Sequence, residues 1–124
     1  MNPGANLTQY LYAYDFDFVI PGGAEIHGIV VKITKSCTLG TYVDSHVWLT
    51  DNGGAGTGTD QAAAGSWAIG ATEYTYGTKY DKWGQITTVA EANSAAFGVM
   101  LQAACTGYDT ATVSVVSITI YYSD

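Results

Sequence analysis

Two histidines, two cysteines and a surplus of carboxylates are the side chains in this 124-residue sequence best suited to chemistry. A zinc site needs three or four convergent nitrogen or sulfur ligands. His27, His46, Cys37 and Cys105 are scattered, with no HxH, HxxxH or CxxC spacing to bring them together. No metal and no cofactor is therefore expected. A nucleophilic serine is equally unsupported, because Ser66 follows only a generic glycine and no GxSxG turn occurs. Asp15 and Asp17 lie two apart and so share one face of a strand. Glycoside hydrolysis requires two acids converging across a sugar, whereas neighbouring acids on an open sheet face suit a solvated edge. Calcium is the better functional reading of the acids, through Asp51, Asn52 and Asp60 beside a Gly-rich turn, but their spacing matches no EF-hand loop. These residues predict a protein that is not an enzyme.

The aromatic side chains offer more. Trp48, Trp67, Tyr80 and Trp83 fall on predicted loops or on the less regular strand faces, where amphipathic rings serve sugar stacking or a protein interface. Trp67 and Trp83 have a second reading, as plugs at the ends of a sandwich. The row Tyr10, Tyr12, Tyr14 reads as core. Cys37 and Cys105 stand at the ends of two predicted strands, and a disulfide between them would close a long loop. Cytoplasmic synthesis favours reduced, buried thiols instead.

The elements that would position these groups are strands. Charged residues are only 12% of the chain while Gly (15) and Tyr (10) are abundant, a mixture that suits strands joined by tight turns. The length fits one domain, residues 1–124, with an N-terminal arm over 1–8 and a Gly-rich loop over 51–65. Residues 111–122 contain no Gly, Pro or charge and predict a buried closing strand, around which the others are organised. Its apolar face changes side at the Val115–Val116 step, as a β-bulge would cause. Residues 9–20 alternate Tyr10, Tyr12, Tyr14, Phe16, Phe18 and Ile20 with Leu11, Ala13, Asp15, Asp17 and Val19, predicting one long strand stopped by Pro21-Gly22-Gly23. Residues 25–34 place Ile29, Val31 and Ile33 inward, with Gly28 a bulge site; 44–50 place Val47 and Leu49 opposite His46 and Trp48. Short strands are expected at 66–69, 72–76 and 85–89, a helical turn at 90–96, and a strand from Phe97 to Cys105. Seven or eight strands at even spacing predict an all-β, antiparallel sandwich of jelly-roll type.

A formal charge of -7, with four Lys and no Arg, argues against nucleic acid and anionic membranes as partners. No apolar run is long enough to span a bilayer. Residues 1–10 lack the basic start and apolar stretch of a secretory signal, so synthesis in the cytoplasm is expected.

Four phrases, DFDFVIPGGAEIHGIVVKI, YTYGTKYDKWG, EANSAAFGVML and ATVSVVSITIYY, resemble a family of small β-sandwich proteins found among phage and prophage structural proteins. The resemblance covers nearly the whole chain. It implies a virion-associated, non-enzymatic module: a capsid decoration (cement) protein that binds the major capsid protein or other virion proteins, stabilises the head exterior and assembles as a homo-oligomer. The alternative within it is a carbohydrate- or receptor-binding module of a tail fibre or baseplate. Ser114 and Ser117 depart from the family pattern in the closing strand, as do the two cysteines and the Gly-rich loop.

Overall fold

The computed structural model describes residues 6–51, 56, 58–84 and 88–123. The elements are β1 (Asn6–Leu7), β2 (Leu11–Tyr14), β3 (Glu25–Cys37), β4 (Tyr42–Thr50), β5 (Thr72–Tyr76), α1 (Val89–Asn93), β6 (Gly98–Cys105) and β7 (Ala111–Ser123). All strand pairs are antiparallel. In one sheet β6 is central, with β4 on one side and β1 and β2 end to end along the other. In the second sheet β3 lies between β5 and β7. Successive lanes alternate between the two sheets, and the whole is an antiparallel β-sandwich of seven strands. No helix among the described residues is long and apolar enough to cross a membrane.

The central strand is β3, not the closing strand. Its odd-numbered side chains Ile29, Val31 and Ile33 are fully buried against Val47, Leu49, Val99 and Leu101 of the other sheet. β7 forms an edge, and its inward row, Ala111, Val113, Val116, Ile118 and Ile120, meets the core. A bulge does re-aim that row, but at Ser114, where Thr34 pairs with Val115 and Lys35 with Val113. The Ser114 hydroxyl donates to the Thr34 carbonyl at 3.3 Å. A second bulge falls at His27, between Ile26 and Gly28, as the wrong parity of Ile26 requires.

The N-terminal segment departs furthest from its alternation. Asn6–Leu7, within the predicted arm, pair with β6. Strand geometry then ends at Tyr14, because Asp15 (φ 65°) and Asp17 (φ 59°) adopt the left-handed conformation that Asp tolerates better than most residues. The aromatic row changes side there. Tyr10, Tyr12 and Tyr14 stand on the outer face of the sheet, so they are not core, while Phe16 and Phe18 turn inward and Phe18 meets Phe97 edge-on. Asn93 clamps the end of this segment through both of its amide groups, which pair with the Ile20 backbone at 2.9 and 3.0 Å.

The shorter elements follow local rules. Thr88 and Glu91 close a capping box at the start of α1, whose single turn is too short to stand without it. Residues 85–87 of the predicted short strand lie outside the described residues, and Val89 is helical. Within 66–69 only an isolated bridge from Ser66 to Val43 forms.

At Gly98 the backbones of β2 and β6 approach closely. A Cβ there would overlap the Ala13 carbonyl oxygen, a backbone atom that cannot swing away. Gly98→Ala is expected to cost about 1–3 kcal/mol through overpacking, measured as a lower midpoint in urea unfolding.

Candidate functional site

The inner row of β3 continues past Ile33 to Lys35, whose side chain is 1% exposed. Opposite it, β4 carries a bulge at Ser45, between Asp44 and His46, so that Asp44 and Val47 both point inward. The Asp44 carboxylate, 2% exposed, then meets the Lys35 ammonium in an ion pair. Trp67 Nε1 donates to Asp44 Oδ1 at 2.9 Å, and the Tyr76 hydroxyl and Ala63 N–H donate to Oδ2 at 2.8 and 3.1 Å. Lys35 also donates to the Tyr76 hydroxyl, which closes a triangle. Three rings surround the ammonium: Tyr74 at 4.3 Å, Trp67 at 4.5 Å and Tyr76 at 5.1 Å from their centroids.

Every partner in this cluster is spoken for. Burial pulls the Lys35 amine below its ordinary value, opposed by the hydrogen bond and charge of Asp44. Burial, then the Asp44 charge, drives the Tyr76 phenol far up. A perturbed lysine often marks a reactive site, but this one is sealed from solvent and serves as an inter-sheet clasp. A buried pair of this kind is defended by its hydrogen bonds, since desolvation cancels much of the Coulomb gain.

The four aromatic residues singled out from the sequence do not converge. Trp83 is fully buried and donates through Nε1 to the Ile29 carbonyl at 2.8 Å. Trp67, 3% exposed, belongs to the clasp. Trp48 is half-buried, with His46 stacked on it at 4.4 Å and 9°, Tyr10 at 6.1 Å, and Gly56 against the indole. Only Tyr80 is open, 77% exposed, with the Lys79 ammonium 5.2 Å from its ring. Buried rings have no face to offer a sugar.

The other candidates are held in structural roles. Cys37 and Cys105 are both free and buried, and their thiols face the carbonyls of Trp67 (3.5 Å) and Gly107 (3.6 Å). Asp15 and Asp17 are exposed on the turn after β2, not on a strand face. Of the calcium set, Asn52 lies outside the described residues and Asp60 is taken by His46 Nδ1 at 2.6 Å and by the N–H groups of Val47 and Ala62. Among the described residues no group of three or more His, Cys, Asp or Glu is placed to hold a metal ion.

What remains is a surface. The side of the sandwich formed by β4 is closed, because Gln61 N–H bonds the Val47 carbonyl, Trp67 N–H bonds the Tyr42 carbonyl, and Ser66 bridges Val43. Among the described residues the opposite side is uncovered. There β2 and β7 are the edges of their sheets, and between them runs a cleft of about 230 Å³ lined by Leu11, Trp67, Leu101, Ala103, Ala111 and Val113, with Thr8 and Gln9 at its rim. Leu11 and Tyr14 on β2 and Val115, Tyr121 and Tyr122 on β7 are exposed. Compared with protein-family models, with curated proteins and with solved structures, the chain matches none.

Two predictions follow from the buried and half-buried carboxylates. Asp44→Ala leaves the Lys35 ammonium enclosed without its counter-charge and is expected to lower stability by about 3–5 kcal/mol in chemical denaturation; Lys35→Met combined with Asp44→Leu should recover most of that loss. Asp109 accepts five hydrogen bonds, from the N–H groups of Thr38, Leu39, Thr41 and Thr110 and the Thr41 hydroxyl. Desolvation raises its pKa, but these bonds outweigh it and hold the carboxyl well below the usual carboxylate range, and Asp60 is held low by the same balance. A depressed carboxylate stabilises fully above its unfolded pKa of about 4, and that stabilisation is lost as pH falls through the folded value. Asp109→Asn should therefore flatten the decline in Tm on acidification below about pH 4.

Proposed function

We propose that this chain is a non-enzymatic structural protein of a phage particle, a small decoration module that binds the head exterior and stabilises it. The observation that carries the reading is the open side of the sandwich. Among the described residues two strand edges, β2 and β7, are unpaired there, and both strands carry exposed apolar side chains, Leu11 and Tyr14 on β2 and Val115, Tyr121 and Tyr122 on β7. Unpaired edges and apolar patches are liabilities that proteins cover, blunt or use as contacts. The likeness of the four sequence phrases to virion sandwich proteins supplies the kind of assembly. In this reading the partners are the major capsid protein or other virion proteins and further copies of the chain.

A module of this sort works by mass action. Contacts made only when the shell is assembled stabilise the shell by the free energy of binding, with no reactive group required. The net charge of -7 supports the same reading, since an acidic coat protein is repelled by packaged nucleic acid and stays on the outside.

The second reading, a glycan-binding module of a tail fibre or baseplate, has one specific observation in its favour: Tyr80 is an exposed ring beside a lysine. It lacks a second open ring next to Tyr80, because Trp83 of the same loop is buried.

Purified particles decide between them. The chain is expected in many copies per particle, and particles lacking it should dissociate at a temperature several degrees lower. Absence from purified particles would sink the proposal. A soluble sugar that binds wild-type protein but not Tyr80→Ala would move the assignment to the second reading.

A further inference from the structure

β7 is the longest strand with a free edge among the described residues: thirteen residues, Ala111–Ser123, without a charge, a proline or a glycine. β3 has the same length but is paired on both sides. An edge of this kind displays a row of backbone N–H and C=O groups that only another extended chain can satisfy. Proteins that keep such an edge solitary place a lysine, a proline, an inward charge or a β-bulge on it; β7 has one bulge, at Ser114, close to one end, and the stretch from Val115 to Ser123 is regular. Here the sequence has four lysines, and none is on β7.

We propose that two copies of this chain join edge to edge through β7 about a two-fold axis near Ser117, so that their three-stranded sheets become one continuous six-stranded sheet. This deepens the assembly reading above by naming its self-contact. Three observations select a second copy as the occupant.

The first is charge. Two chains of net charge -7 repel, yet along β7 there is nothing to repel, so this neutral edge is where acidic copies can meet. The second is self-complementarity. Antiparallel pairing centred on Ser117, the midpoint of the strand, sets Ser117 opposite its counterpart and Val115 opposite Thr119, with Val116 opposite Ile118 on the inner face. Those pairs are small or β-branched and bring no like charges together.

The third is area. Thirteen extended residues run roughly 40 Å, and two layers about 10 Å apart with their side chains make the face roughly 20 Å deep. Because β2 supplies only four residues of the second layer, that is on the order of 500 Å² per copy, about 1,000 Å² in total, which reaches the lower bound for a specific interface. The second layer contributes because β2 borders the same side: its Leu11 and the cleft residues Leu101 and Val113 would be covered by the same union. A two-fold contact uses one patch on both partners and closes, so assembly through it stops at two.

Light scattering on the purified full-length chain at roughly 50 µM, well above a micromolar dissociation constant, is expected to give the mass of two chains. Ser117→Lys with Thr119→Lys sets like charges across the axis and should weaken the dimer at least about 100-fold. Both side chains are exposed, so the circular dichroism spectrum should be unchanged. Thr75→Lys, on the other edge strand, should leave the dimer intact.

Hydrogen exchange on the wild-type chain gives an independent reading: β7 amides should gain protection as concentration rises, and β5 amides should not. A monomer at 50 µM, a higher polymer, a dimer that survives both lysines, or β7 exchange indifferent to concentration would each overturn the proposal. A monomeric chain that is still abundant on particles would remove this contact and leave the assembly role standing.

Discussion

Two charges buried between the sheets set the terms for the rest of the molecule. Lys35 and Asp44 are each within 2% of complete burial, and neither could stay ionised in an apolar interior without its partner. Their pairing locks β3 of one sheet against β4 of the other at a single position. A slip of either strand by one residue would put an uncompensated charge against hydrocarbon. The surrounding donors are part of the same constraint. Trp67 and Ala63 come from the segment after β4, and Tyr74 and Tyr76 from β5, so the clasp also fixes how that segment and the short edge strand lie.

The clasp explains why the two sides of the sandwich differ. Towards β4 and β5 the space between the sheets is filled by Trp67, Tyr74, Tyr76 and the ion pair, and the segment from Asp60 to Trp67 covers the outer edge of β4. Among the described residues no comparable segment lies along β2 and β7. Polar closure on one side and an apolar, unpaired margin on the other give the fold a direction. The covered side maintains the structure, and the exposed side is where burial remains to be gained. Its exposed rings and aliphatic chains lie on regular strands, which position them more rigidly than loops would.

Much of this architecture was legible in the alternation of side chains. The inward row of β3, the opposed faces of β4 and the strand from Phe97 follow from period-two patterns, and the helical turn near Asn93 from the composition of residues 90–96. A bulge in β7 was required by the parity of Val113 and Val116, though its site, Ser114, depended on the partner strand. The alternation misled where backbone conformation overrode it. Tyr10 to Ile20 keeps one parity throughout, yet the left-handed Asp15 turns the second half of the row over, so the tyrosines face out and the phenylalanines in. The tryptophans left two readings open, surface ring or interior plug, because type and loop position do not report which rings fold back; Trp67 and Trp83 are buried, as the second reading had them.

The inward position of Lys35 could be counted from the sequence, since it is two residues beyond Ile33 on an unbroken alternation. Counting placed Asp44 on the opposite face of β4, alongside His46 and Trp48. Only the extra residue at Ser45 turns it in, and a bulge is a property of two paired strands, decided when Asp44 finds Ala103 and His46 finds Gln102 on β6. Composition and periodicity thus determined that the chain would form antiparallel strands around an apolar interior, because each strand's two faces are written in its own residues. Which strand would be central, which edges would stay open and which charges would meet were decided by tertiary structure, because each depends on residues far apart in the chain satisfying one another's buried polar groups.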